Sequence, residues 1–268
     1  MCIRDRAQII GISATATLDT VIGNYDLEYL QRMLQDKFYV MPEVDKCRLQ
    51  ESFRTFVANY DKVNIHVEPV CYSTDDTAEL AEIFNGNEAL IKKYAEKLSI
   101  SFERVEYAKN NFIRVVKVMK AFILNDSVKS FLCLNNKLPQ ENKGLFDIKL
   151  LEEFADAIIK LYGIKGLKGK DLLYSINSED YDAKRAEFIQ RLSKGEKLFV
   201  ISSYNTVGAG QNLQYKAPGN ATIVAVNDYD RGDMEKDFDC IYLEKPTNLL
   251  VNVDSKKGIE AEDLIRFV

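Results

Sequence analysis

Residues Lys197 to Leu213 read KLFVISSYNTVGAGQNL. An apolar run, Leu198 to Ile201, ends in Ser202 and Ser203. A polar loop follows, and Gly208-Ala209-Gly210-Gln211-Asn212-Leu213 opens the next element. A short apolar run closed by small polar residues is the pattern of a strand buried on both faces, as in a parallel sheet. Glycines in such a loop let backbone amides approach a phosphate or ribose with no Cβ in the way. A helix N-terminus behind them favours an anion. The same residues also describe a plain tight turn, and both readings stay open here. A dinucleotide-binding reading fits less well. Gly208 and Gly210 begin GxGxxG and Asp228 follows a strand-like run, but Leu213 stands at the third glycine and Pro218-Gly219 shorten the crossover helix.

Working outward, strands and helices alternate. Val128 to Leu134 (VKSFLCL), Asp171 to Ile176, Thr222 to Val226 (TIVAV) and Cys240 to Leu243 read as strands. Leu145 to Leu161 and Tyr181 to Leu192 carry apolar residues at helical spacing (Ile148, Leu151, Phe154, Ile158; Ala186, Phe188, Ile189, Leu192). Such alternation predicts βαβ crossovers and an α/β fold with a parallel sheet covered on both faces. Thr74 to Leu124 is helical in pattern, with a capping-box arrangement at Ser99, Ser101 and Glu103 marking a restart. Leu27, Leu30, Met33 and Leu34 also recur at helical spacing. Val63 to Val70 alternates and predicts a strand. Ile9 to Ile12 predicts a buried strand running into Ser13-Ala14-Thr15-Ala16-Thr17. Lys165 to Lys170 (KGLKGK) reads as a basic loop.

Composition narrows the function classes. At 268 residues, 46% hydrophobic and 29% charged, the chain reads as an ordinary globular protein. No window reaches the roughly 18 apolar residues of a membrane span, and no signal-peptide core is present at the N-terminus. A net charge of −5 argues against a dedicated basic nucleic-acid module, though not against a local positive groove. Five scattered cysteines without a CxxC pair, and one histidine, His66, make a zinc site an unexpected outcome and fit a reducing, cytoplasmic setting. One histidine also disfavours Ser-His-Asp and Cys-His hydrolase chemistry. His66 reads as a solvent-face residue, and Asp75, Asp76 and Glu79 as charges at a helix start.

Taken in order, these elements resemble the superfamily 2 ATP-dependent helicases and translocases. Ile9 to Ala16 (IIGISATA) looks like their motif III. Phe199 to Ser203 with Thr206, Gly210, Gln211, Asn212 and Leu213 looks like motif V. Between them, Leu172 to Ile176, then Arg185, Phe188 and Gly195, match the family's usual run, and Val128 to Leu134 fits the motif IV strand. The resemblance implies a RecA-like parallel sheet flanked by helices, the helicase C-terminal lobe. A helical linker or insertion and the last strand of a first RecA-like lobe would precede it. It implies that Gly208, Gly210, Gln211 and Asn212 lie beside a nucleotide. Ser13, Ala14 and Thr15 would couple the nucleotide state to the lobe interface. Ser203 and Thr206 would offer hydroxyls to the backbone of DNA or RNA. ATP and Mg²⁺ are the implied cofactors of the parent protein, and the N-terminal RecA-like lobe its missing partner.

The chain departs from the family at several points. It contains no GxxxxGK[ST] and no acidic Mg²⁺ motif before Ser13, no arginine-bearing motif VI follows Val226, and Tyr204 stands where a Thr or Ser is usual. Arg231 lies in an acidic, loop-like context. Phosphoryl transfer needs those missing parts, so the chain alone is not expected to hydrolyse ATP. The expected organisation is a non-native leader at 1–6, which resembles a translated sequencing adaptor, and the end of a first lobe at 7–36. A partly helical linker then spans 37–126 and a second, truncated RecA-like domain 127–268. The alternative is a stand-alone, non-hydrolysing nucleotide or sugar-phosphate binding module built on the Gly208–Asn212 loop.

Overall fold

A computed structural model describes residues 27–56, 59, 62–73, 75–102, 105–138, 146–204, 206–207, 213–219, 223–224 and 235–245. The chain forms two compact units, Met1–Thr55 with Thr247–Val268, and Phe56–Pro246. The described part of the first holds α1 (Leu27–Leu34), a 3-10 turn (Gln35–Lys37) and most of α2 (Glu43–Phe56). Acidic residues in the first turns, Glu28, Glu43 and Asp45, and basic ones in the last, Arg32 and Arg54, complement the helix dipoles. α1 matches the spacing of Leu27 to Leu34. α2 has no continuous apolar stripe, and Val44, Leu49 and Phe53 are exposed, so periodicity did not reveal it.

The second unit is built on a four-stranded parallel sheet. Its strands are β1 (Ser130–Asn135), β2 (Leu173–Ser175), β3 (Leu198–Ser203) and β6 (Cys240–Leu243), in the order β2-β3-β1-β6. β1 is central. It pairs with β3 from Ser130↔Leu198 to Asn135↔Ser203, and with β6 from Phe131↔Cys240 to Leu134↔Leu243. All six residues of β1 and of β3 are buried, which is why both read as unbroken apolar runs. A separate two-stranded antiparallel ladder joins β4 (Tyr215–Lys216) to β5 (Glu235–Lys236).

Helices cover both faces. On one lie α3 (Asp76–Ile83), α4 (Glu88–Ser101), α5 (Glu106–Leu124), α6 (Ile148–Leu161) and the short α7 (Gly169–Leu172). Their apolar sides share a core with Phe131, Cys133, Leu173, Phe199, Ile201 and Tyr242 of the sheet. The helical segment before β1 is therefore packed on the sheet. Phe154 of α6 is a hub of this core, with ring centroids 4.3 Å from Tyr94, 5.6 Å from Phe112 and 5.7 Å from Phe84. On the other face α8 (Tyr181–Ser193) packs Phe188 and Leu192 on Leu132, Leu134, Leu198 and Val200, with Val207, Leu213 and Tyr215 beside them. β1 leads through α6 to β2, two places away. β2 returns through α8, on the opposite face, to β3. Reversing direction and face together keeps both crossovers of one hand.

Side chains start these helices where the sequence offers them. Asp75 Oδ1 accepts from Thr77 N at 2.9 Å, Asn87 Oδ1 from Leu90 N at 3.1 Å and Asp147 Oδ1 from Lys149 N at 2.9 Å. The capping box expected at Ser99 and Ser101 does not form. Buried Leu98 and Phe102 carry α4 through both serines, and α5 starts at Val105 without a side-chain cap; Glu103 lies outside the described residues. Val63 to Val70 forms no strand and joins no ladder, with Ile65 and Val67 78% and 82% exposed. Alternation alone supplies no neighbour to pair with. In TIVAV, only Ile223 and Val224 are described, and neither is in a strand. The strand expected from Asp171 begins only at Leu173, because Gly169 to Leu172 form α7 against α6.

That contact makes Gly169 critical. A Cβ there would lie 2.4 Å from the Glu152 carbonyl oxygen and 3.1 Å from Ala155 Cβ. Gly169→Ala is expected to destabilise the fold by about 1–3 kcal/mol through overpacking. Gly163→Ala, at φ +65° with open space around it, costs only the left-handed conformation, about 1–2 kcal/mol. Urea unfolding of the two variants measures both.

Candidate functional site

Open α/β sheets bind ligands outside the carboxyl ends of their strands, where neighbouring strands send their connections to opposite faces. Here that point lies between β1 and β3. β1 continues toward α6 on one face, and β3 continues into Val207, Leu213 and Tyr215 on the other.

Side chains alternate faces along a strand. Cys133, Ile201 and Tyr242 form an apolar row across β3, β1 and β6 on the α5–α6 face. Two residues further on, the same face carries Ser203, Asn135 and Glu244, a polar row at the carboxyl edge. The Glu244 N–H donates to the Leu134 carbonyl at 3.0 Å, extending the β1–β6 ladder to that level. All three residues are buried, with 7%, 3% and 6% of their surface exposed.

Each member of the row is held differently. Ser203 Oγ lies 3.0 Å from Thr206 Oγ1 and accepts from the Thr206 N–H at 3.3 Å, so the expected hydroxyl pair is drawn together by a tight turn. Tyr204 donates its N–H to the Asn135 carbonyl at 3.3 Å and its hydroxyl to the Glu244 carbonyl at 2.5 Å. It therefore ties the loop after β3 to β1 and β6. Glu244 Oε2 accepts from the Asn136 N–H at 2.5 Å, and Oε1 from Asn111 Nδ2 on α5. Arg114 faces this carboxylate through Asn111, donating to Asn111 Oδ1 at 2.8 Å. Asn135 Oδ1 takes the Cys133 thiol at 3.6 Å, while Asn135 Nδ2 has no partner. A buried donor left unpaired costs about 1–3 kcal/mol.

Burial pushes the Glu244 carboxyl above the usual glutamate range, against the pull of the Asn136 N–H and the Arg114 charge. Burial likewise raises the Cys133 thiol, with the nearby Glu244 charge adding to it. That sulfur is an inert core group.

The opposite edge of the sheet is closed. Asp239 Oδ2 accepts from the N–H groups of Lys129 and Ser130 at 2.9 and 3.0 Å, Lys236 pairs with Oδ1, and Ser130 Oγ meets Tyr215 Oη at 2.9 Å. Burial opposes the Asp239 charge, but Lys236 and these N–H groups outweigh it and hold its pKa low. Every lone pair used there locks register.

Ser13, Ala14 and Thr15, and Gly208, Gly210, Gln211 and Asn212, lie outside the described residues, as does Arg231. His66 is exposed, with Nε2 2.7 Å from Glu68 Oε1. Glu79, expected as a charge at a helix start, is buried and paired with Lys117 at 2.9 Å. Among the described residues no three His, Cys, Asp or Glu side chains converge on a point that could hold a metal ion.

Neither protein-family models nor curated proteins match this chain.

Asn135, Asn136 and Glu244 were not singled out from sequence. Their signal is nonetheless simple: Asn135 ends and Asn136 follows the buried strand β1, and Glu244 follows the edge strand β6, of which Tyr242 alone is buried. Asn111, inside a helix, gives no such signal.

The raised Glu244 pKa fixes a pH trend. A carboxyl titrating higher in the folded than in the unfolded chain adds stability fully below the ordinary glutamate range, about pH 4. That contribution is lost as pH rises through the raised value. The groups facing it are Arg114, Tyr204, Tyr242 and Cys133. In urea melts from pH 4 to 7, the wild type should lose stability relative to Glu244→Gln as pH rises. A flat difference would show that Glu244 titrates normally.

Proposed function

We propose that this chain supplies the second RecA-like lobe of a superfamily 2 helicase or translocase, and that its carboxyl sheet edge binds the backbone of a nucleic acid. The observation that carries this reading is the exit of the motif V-like loop. Ser203 and Thr206 leave β3 beside the central strand β1, at the point where the connections part to opposite faces. The order β2-β3-β1-β6, all parallel, is compatible with a RecA-like lobe.

In this reading the lobe works by positioning. Hydroxyls and backbone N–H groups of the β3 loop hold phosphates without reading sequence. Tyr204, bonded to both Asn135 and Glu244, transmits movement of that loop to β1 and β6. The glycines of residues 208–212 would face the nucleotide, and the partner lobe would bring the phosphate-binding loop and the metal ligands.

Fluorescence anisotropy with labelled 20-nucleotide single strands tests this. The wild type should bind at low salt, with affinity falling as salt rises. Ser203→Ala with Thr206→Ala should weaken binding about tenfold, equally for unrelated sequences, at about 0.5–1.5 kcal/mol per hydrogen bond. Absence of binding at low salt, or binding indifferent to both substitutions, would overturn the reading. Stabilisation by a mononucleotide alone would favour the small-ligand module instead.

A further inference from the structure

The turn that joins α6 to α7 gathers positive charge that nothing in the fold uses. Residues 157–170 include Lys160, Lys165, Lys168 and Lys170 and no acid. All four lysines are exposed, and among the described residues none of them pairs with a carboxylate. Elsewhere in the same unit Lys97, Lys109, Lys117, Lys184 and Lys236 each do. Of the two flanking acids, Asp156 Oδ1 takes the Gly169 N–H at 2.7 Å, and Asp171 pairs with none of the four. Lys120 of α5 adds a fifth cation. Its Nζ lies 5.7 Å from the Tyr162 ring centroid and donates to the Glu82 carbonyl rather than to a carboxylate. A chain of net charge −5 thus concentrates positive charge at this one place.

The backbone holds that charge in a fixed shape. α6 ends in a left-handed turn at Gly163, which donates to the Lys160 carbonyl at 3.2 Å, while Ile164 donates to the Ile159 carbonyl at 3.0 Å. The N–H groups of Asp171 and Leu172 return to the Lys168 carbonyl at 3.1 and 3.0 Å. Leu161, Ile164 and Leu167 pack against the core, which leaves the lysines outside. α6 runs from the carboxyl end of β1 to the amino end of β2. The loop therefore lies at the opposite end of the sheet from Ser203 and Thr206, about 20 Å of strand away.

We infer that residues 160–170 form a second contact for the phosphate backbone of a nucleic acid. The residue types select this anion. Lysine carries a compact charge without the fork that arginine aims at a carboxylate, so lysines alone suit phosphates whose positions vary along a flexible strand. The aliphatic side chains of the loop are turned inward, and none is left to enter a bilayer. The partner rests on the nucleic-acid reading above, while the residues that hold it are different ones. A strand long enough to reach both contacts is held at two ends of the lobe, and neither contact reads sequence.

Fluorescence anisotropy with a labelled 40-nucleotide single strand, between 50 and 200 mM salt, tests this. The proteins compared are the wild type, a triple variant Lys165→Gln, Lys168→Gln, Lys170→Gln, the same triple change to Arg, and Ser203→Ala with Thr206→Ala. Circular dichroism reports the folding of each. The glutamine variant should bind about tenfold less tightly at 50 mM salt, and its slope of log affinity against log salt should be shallower by about 2, at about 0.7 per lost phosphate contact. The arginine variant keeps the charge and should keep both affinity and slope.

If the glutamine variant binds like the wild type while the hydroxyl variant is weakened, the loop contact is wrong and the lobe reading stands. If only the glutamine variant is weakened, the carboxyl-edge reading fails and the loop contact stands. An arginine variant as weak as the glutamine one would show that charge is not what binds, and would overturn the loop contact. So would a wild type that ignores the strand but binds vesicles of phosphatidylcholine with about 30% phosphatidylserine through the same lysines. No binding of the strand at 50 mM salt would overturn both readings.

Discussion

The fold depends on parallel pairing around β1. A parallel strand cannot be joined to its neighbour by a tight turn, so each connection must cross a face of the sheet. With β1 in the centre, bonded to β3 on one side and β6 on the other, the crossovers must part. α6 takes one face and α8 the other. Both cores follow from that division. At the amino edge, hydrogen bonds and an ion pair join Asp239, Ser130, Tyr215 and Lys236.

The same geometry explains why polarity concentrates at one end. Along β1 and β3 every residue, the last included, is buried and must be apolar or paired. Past Leu134 and Ser202 the buried positions turn polar. There Ser203, Asn135 and Glu244 appear in register, with Asn111 of α5 and Tyr204 bracing them. An unpaired amide and a carboxylate above its usual pKa are costly in a core. Their meeting at the switch point gives this edge its functional interest.

Much of this was legible in the sequence. SFLCLN and LFVISS are long enough and apolar enough to be read as central strands, and the α6 and α8 patterns repeat at helical spacing. Ser203 and Thr206 were singled out through the resemblance to motif V. The rest failed for identifiable reasons. VNIHVEP alternates like a strand, but pairing is a tertiary event that no local pattern supplies. Ser99 and Ser101 looked like a helix start, yet burial of Leu98 and Phe102 carried the helix through them. Glu244 and Asn111 are separated by 133 positions, and their meeting depends on register, which the sequence of either segment does not encode.

The central claim is that ligand engages the carboxyl edge at β1 and β3. Backbone amide shifts of the ¹⁵N-labelled chain during titration with a single-stranded oligonucleotide test it most directly. The account predicts that the largest shifts fall on Asn135, Asn136, Ser203, Tyr204, Thr206 and Glu244, while Ser130, Leu198 and Asp239 at the amino edge stay still. Shifts centred on the amino edge, or confined to α1 and α2, would contradict it.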